Sequence, residues 1–432
     1  MTSERESSTC HSTETAEHSS LLLTHHFSMS PLLVIFFTVF IDMVGFGIVI
    51  PVLPLYAEHF HATPLEIGWL TGIYSGMQII FTPLLGRLSD RVGRRPVLIV
   101  SLAGTAVGFL VMGWASTLPL LFLARIIDGA TGGNISTAQA YIADVSTPEN
   151  RSKSMGLIGA AFGLGFVFGP MIGGILSQIS YGAPFYFAAA LAAANVGLLY
   201  FILPESLSKE YRSQPHERTR LREVFQHGHG RTFARIVATY FFSITGFAIM
   251  TTLFALLTEK HFGYGARQTG YIFGFIGIIS VILQGGLIGR LVKMFGETTL
   301  ARTGLFLLAL AMLLLPLVVR LPMLLAVCAL TAVANGLVSP TLNGLASQMI
   351  DRSWQGRALG LMQSAGSFGR LVGPLLGGWL LMFDLGFPIS RYARTPLFTS
   401  AGILFIAFLV ALTFRKPAAD HMPPTITARA DV

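Results

Sequence analysis

"GRLSDRVGRRP", Gly86 to Pro96, is a short basic stretch between two long oily ones, and it has an echo. "GRLVKMFGETT" begins at Gly289, 203 residues later. A second pair keeps nearly the same spacing. "MGLIGAAFGLGFVFGPMIGG" ends at Gly174, and "LGLMQSAGSFGRLVGPLLGG" ends at Gly378, 204 residues later. The chain is therefore a duplication, with a repeat of about half its length.

The repeated unit is a membrane unit. The chain has 432 residues, of which 53% are hydrophobic and 12% charged. A soluble domain is about 25% charged. Mean hydropathy is +0.65. Apolar runs of roughly 20 residues recur, the length a helix needs to cross a bilayer. A transmembrane barrel would show ~10-residue alternating strands instead. Twelve spans are expected: 32–56, 65–85, 96–115, 118–144, 154–179, 184–203, 233–258, 268–289, 299–319, 321–350, 358–383 and 396–414. The fold class is all-α and polytopic, with two six-helix halves at 31–203 and 233–414. Residues 204–232 form a charged cytoplasmic linker. Residues 1–30 read as a disordered cytoplasmic tail without the basic start of a signal peptide, and 415–432 as a second cytoplasmic tail. Paired halves of this kind are the plan of transporters that rock around a central site.

The formal charge of +8 reflects topology rather than nucleic-acid binding. Loops and tails on one side carry twenty Lys and Arg, against five on the other. Positive loops stay cytoplasmic, so both termini are expected inside, with some attraction to anionic lipid heads. Cys10 lies in a tail and Cys328 in a span, so no disulfide framework is indicated.

Several stretches carry a family resemblance. "GRLSDRVGRRP" resembles the loop signature between spans two and three of the major facilitator superfamily. "GFVFGPMIGG", "DMVGFGIVIPVLP" and "LARIIDGATGG" resemble the span-five, span-one and span-four patterns of its twelve-span drug:proton antiporters, above all the tetracycline-efflux-like branch. The resemblance covers residues 30–415 and implies the major facilitator fold. It implies a cell (inner) membrane protein exporting small amphiphilic compounds in exchange for protons, by alternating access. The alternatives are a sugar or metabolite symporter or facilitator of the same superfamily and, in another class, a receptor or scaffold that does not transport. Tetracycline exporters carry further acids in spans three and nine. These spans contain none here, so tetracycline itself is not the expected substrate.

The motifs also have a physical reading. In the loop, Gly86 and Gly93 permit tight turns, and Asp90 can accept from free N–H groups at a helix start. The resemblance makes this loop a latch: Asp90 caps the start of span eleven, and Arg94 pairs with Asp144 at the end of span four. Gly165, Gly169 and Gly173 share one helix face beside Pro170, which permits close helix approach. Gly369, Gly373 and Gly377 repeat the spacing beside Pro374. Both sets are expected to form seams for rocking.

Charges inside spans are rare and face cavities or one another. Asp42 stands in "TVFIDMVGFGIVIPVLPLY", on one face with Thr38, Gly45 and Val49; Pro51 and Pro54 follow, where a bend would help the helix swing. A carboxylate whose cavity is wet in one state and dry in another can carry a proton, and the resemblance gives Asp42 that role. Arg125 and Asp128 lie three apart on a stripe with Gly132, Ser136 and Gln139. They are the other proton-coupling candidates, Arg125 by resemblance. Gln78, Gln139, Asn335, Asn343, Gln363 and Arg370 are candidates for the wall of a substrate cavity.

No phosphate-cradling P-loop is present, so the expected energy source is the proton gradient, with no cofactor. No catalytic constellation stands out, so an enzyme is not expected. His227 and His229 lack further ligands at zinc-site spacing, and no metal is expected. The expected partners are a small-molecule substrate, protons and membrane lipids, not nucleic acid, with the monomer as the working unit.

Overall fold

The structure is a computed structural model that describes residues 30–147, 150–207, 230–349 and 355–414, with backbone only for 151–153 and 355–357. The tail 1–29, most of the linker with His227 and His229, and the tail 415–432 lie outside the described residues.

Helices account for every span. They are α1 Pro31–His59, α2 Pro64–Val92, α3 Arg94–Gly113, α4 Leu118–Thr131, α5 Asn134–Val145, α6 Arg151–Leu176 and α7 Ala183–Ile202 in the first half. The second half holds α8 Gly230–Phe262, α9 Ala266–Ile282, α10 Ile288–Phe295, α11 Glu297–Leu314, α12 Leu321–Gln348, α13 Gln355–Leu381 and α14 Arg394–Leu412. α4 with α5 makes the fourth crossing. α9, a π-helical turn at Leu283–Leu287 and α10 make the eighth. Twelve crossings result. Nine of the described helical segments are long and apolar enough to span a bilayer on their own. The others are α2 and α13, which carry Arg87, Asp90 and Arg370, and the broken α4–α5. Tertiary packing, rather than hydropathy, places those three.

Local chemistry sets the helix ends. Thr63 and Glu66 form a reciprocal capping box at the start of α2, followed by Pro64 at the first helical position. Gly93 turns the chain from α2 into α3 at φ 121°, and Gly296 does the same between α10 and α11 at φ 76°. Side chains rarely adopt those values, so the duplicated glycine is required by the turn.

The fourth crossing departs from the expected continuous span. It breaks at Gly132–Gly133, where two residues without side chains weaken the helix. The Gly133 carbonyl is taken by the Ser136 and Thr137 hydroxyls, each at 2.9 Å. The expected single stripe is divided: Arg125 and Asp128 remain on α4, and Ser136 and Gln139 move to α5. α1 in turn is one unbroken helix through Pro51 and Pro54.

The predicted glycine seams lie inside the halves. A Cβ on Gly169 would stand 2.6 Å from the Val44 carbonyl and 2.7 Å from Gly47 Cα, so α6 is held against α1. A Cβ on Gly373 would meet the Thr245 carbonyl at 2.6 Å, fixing α13 on α8. Other glycines join the halves. Gly68 and Gly72 of α2 face Pro374 and Leu371 of α13, and Gly270 and Gly277 of α9 face Pro170 and Val167 of α6.

These joins are confined to one end. The first and last described residues, Ser30 and Phe414, mark the terminal face; the joining glycines lie toward the far face. At the terminal ends of the same four crossings, a Cβ on Gly86, Gly159, Gly286 or Gly360 would meet nothing within 4 Å. The buried apolar residues divide in the same way. The largest cluster mixes both halves, with Leu53 and Leu70 beside Leu253 and Phe254. The other large clusters each belong to one half, around Val39 and Leu102 or around Leu305 and Leu342. Among the described residues, the halves are shut at the far face and parted at the terminal face.

Candidate functional site

Four crossings, the first, second, fourth and sixth, bring intramembrane polar groups together. Asp42 of α1 is partly buried, and its carboxylate accepts from Asn134 Nδ2 at 2.5 Å. Asn134 is the first residue of α5, so the glycine break is what aims it at α1. Its own Oδ1 accepts from the Ile135 N–H at 2.8 Å, which fixes the amide's orientation. Thr38, Val39, Asp42, Asn134 and Ile135 line a narrow cleft between the two helices. One turn away, Thr38 meets Asn195 of α7 at 3.3 Å. Among the described residues no cation pairs with Asp42. It is a carboxyl whose one described side-chain partner is a neutral amide.

Arg125 is built differently. Its side chain is buried at 2% exposure and meets Asp128 at 3.3 Å. The guanidinium carbon lies 4.4 Å from the centre of the Tyr74 ring. Cation–π attraction and the ion pair together offset the cost of burying the charge. Gln78 Nε2 donates to the Tyr74 hydroxyl at 2.9 Å and reaches the freed Gly132 carbonyl at 3.5 Å. Gln78 therefore bridges α2 to the broken crossing.

The remaining cavity candidates are on α5, α12 and α13. Gln139 and Asn335 are half-buried and Gln363 is exposed. Asn343 is tied to its own helix through the Ser339 carbonyl at 2.8 Å. Arg370 donates to Ser367 at 3.0 Å.

The loop at Gly86–Pro96 forms a node within the first half. Arg94 meets Asp144 at 3.1 Å, Asp90 at 2.5 Å and Ser89 at 2.7 Å. The resemblance places Asp90 on span eleven. Here the halves are parted at this face, and Arg94 takes its carboxylate instead. Glu205, beyond α7, accepts from the Arg94 and Arg95 backbone N–H groups at 2.8 and 3.2 Å, which caps α3.

At the far face an ion pair crosses between halves. Lys260 of α8 lies 2.8 Å from Glu58 of α1, with Glu259 at 4.0 Å. Tyr181 and Tyr392, in the neighbouring loops, sense this cluster. Burial raises both phenols above the ordinary 10.0, and the Glu58 and Glu259 carboxylates add to it.

Sequence reasoning missed Asn134, Tyr74, Glu205, the Glu58–Lys260 pair and the joining glycines. The Gly132-Gly133 doublet was the available signal for Asn134: two glycines inside a span free backbone groups and bend the chain. Nothing in the sequence pairs Glu58 with Lys260, because their meeting depends on how the halves dock.

Comparisons with known proteins agree with this geometry. Residues 35–370 and 285–430 match the family described as Major Facilitator Superfamily. The chain is 35% identical to the tetracycline resistance protein, class C, of Escherichia coli, over 81% of this chain and 89% of that one. It is 29% identical to multidrug resistance protein 2 of Bacillus subtilis, over 81% and 88%. Among solved structures, the fold resembles a bacterial homolog of the human lysosomal transporter Spinster, inward-facing and unoccupied, at a TM-score of 0.76, 16% identity and coverage of 90% and 98%. It also resembles the human organic anion transporter MFSD10, at a TM-score of 0.68, 24% identity and coverage of 88% and 98%.

Proposed function

The chain belongs to the major facilitator superfamily, and from that premise we propose that it is a proton-driven exporter of small amphiphilic compounds, working by alternating access at the inner membrane. The observation that carries the reading is Asp42. It is an ionisable group inside the first crossing, bonded to a neutral amide at 2.5 Å, on a cleft in the half-parted bundle. A permanently paired structural acid would have a cation beside it, as Asp128 has Arg125. Asp42 is instead the group that takes a proton from one side and yields it to the other. Arg125, Asp128 and Tyr74 hold the adjoining crossings in register and keep a fixed charge next to it.

The basic skew supports a cytoplasmic terminal face. The parted state is then inward-open. Its joins at Gly68, Gly72, Gly270 and Gly277 and the Glu58–Lys260 pair close the outside. When the bundle rocks, those contacts open, the terminal ends meet, and Asp90 becomes free to reach the start of α13. The names of the tetracycline and multidrug relatives support efflux as the direction. The test is purified protein in proteoliposomes, with an imposed pH gradient and a panel of amphiphilic compounds. Uptake into the lumen driven by a proton gradient of the matching sign supports exchange. Flux of every transported compound that ignores the gradient refutes proton coupling.

A further inference from the structure

Arg370 stands in the middle of α13, and among the described residues its charge has no counter-ion. Its one described bond is to the neutral Ser367 hydroxyl at 3.0 Å, one turn back. α13 packs on α2, α8, α12, α14 and the short turn Met382–Asp384, whose Asp384 is taken by Thr395 at the far end. α12 and α14 contain no acid. α8 carries only Glu259, next to Lys260 at the far end. α2 carries Glu66 in its first turn, bonded to Thr63, and Asp90 at its other end, bonded to Arg94. No acid on a packed helix is left for Arg370. Tyr240 of α8 stands beside it over Gly366. Across the two halves, Gly72 and Gly76 of α2 lie against Leu371, the residue next to Arg370. Arg370 thus sits where α13 meets the helix that carries Tyr74 and Gln78.

An unpaired intramembrane cation is costly, and such groups mark ligand paths. The guanidinium fork matches a carboxylate with two parallel bonds, and the Tyr240 ring and Ser367 hydroxyl flank it with one aromatic face and one polar group. We propose that Arg370 is the docking point for an anionic group, a carboxylate or a similar planar oxyanion, on the exported molecule. This rests on the reading of the gap as the substrate cavity. An anion alone does not displace a proton from Asp42. A molecule exchanged for protons also needs a cationic or donor group for Asp42, so the cavity fits an amphoteric compound with an apolar body between its two charges.

The test is equilibrium binding to the purified full chain, with no proton gradient, of three probes of one shape: 2-naphthoate, 2-naphthamide and 2-naphthylmethylamine. The naphthoate should bind about tenfold more tightly than the amide, as one charge-assisted pair implies. Arg370→Gln should bring the two within about twofold of each other, and Arg370→Lys should keep part of the preference. A naphthoate that binds no better than the amide to the native protein overturns the proposal, and that arm needs no variant to fold. So does a preference that survives in Arg370→Gln, the result expected if Arg370 serves only as a counter-ion for the acids across the gap. Proton-driven flux is measured separately. Loss of the charge preference leaves Asp42 coupling standing, and loss of coupling leaves the anion site standing.

Discussion

Lys260 Nζ lies 2.8 Å from Glu58 Oε1, and the pair ties the far end of α8 to that of α1 across the two halves. It is a bond that must break whenever the far face opens. Both side chains are partly exposed, at 40% and 32%, so solvent screens the attraction. Such a pair contributes roughly 0.2–1 kcal/mol. Lys260→Gln should therefore shift the population toward the state open at the far face by at most about fivefold. The double variant Glu58→Lys with Lys260→Glu should restore it. Distances between spin labels at the far ends of α1 and α8 check this. An unchanged distance distribution in Lys260→Gln would remove the pair from the gate.

The glycines make a contrast along one helix. Gly270 sits against the backbone of Pro170, with no room for a side chain, whereas a Cβ at Gly286 would meet nothing within 4 Å. Gly270→Val should prevent closure of the far face and abolish transport. Gly286→Ala should leave this state intact and keep most of the activity. Equal transport in the two variants, at matched membrane levels, would contradict the close join.

Arg94 binds three side chains at once, Asp90, Asp144 and Ser89. Its removal leaves two partly solvated carboxylates without their cation, Asp144 keeping the Ser206 hydroxyl at 3.0 Å, at roughly 0.2–1 kcal/mol for each pair lost. Arg94→Ala should lower the thermal midpoint of the purified protein and slow transport several-fold. Asp90→Asn should slow transport while disturbing the midpoint less, because Arg94 keeps Asp144. Native rates in both variants would reject a role for the loop in the cycle.

Orientation is tested by a single cysteine. In a chain with Cys10 and Cys328 replaced, a cysteine at Ser213 should be shielded from an impermeant thiol reagent in right-side-out vesicles if the linker is on the cytoplasmic side, as the basic skew implies. Ready labelling would reverse the reading of which face is open.

Much of the fold was legible because duplication and hydropathy act over long windows. The repeat at Gly86 and Gly289 implies two halves, and the apolar runs imply crossings. The family resemblance implied Arg94 with Asp144, and the spacing of three put Arg125 near Asp128; the structure brings these pairs to 3.1 and 3.3 Å. What stayed hidden depends on helix phase and on docking. The glycines of "GFVFGPMIGG" promise a close neighbour, and spacing alone cannot name it; the neighbour is α1 of the same half. Gly132 fits a continuous stripe in the sequence, and that pattern hides the break that directs the Asn134 amide onto Asp42. Glu205 lies far along the chain from the helix it caps, and no local pattern joins them.

The central claim is that Asp42 carries the exchanged proton. The most direct measurement is export driven by an imposed pH gradient in proteoliposomes holding native protein or Asp42→Asn, with a compound the native protein transports. The variant keeps the shape of the side chain and a partner for Asn134, but it cannot ionise. The account predicts that Asp42→Asn loses gradient-driven export while retaining its fold, and that Asp42→Glu keeps part of it. Export against a concentration gradient at the native rate by Asp42→Asn would contradict it.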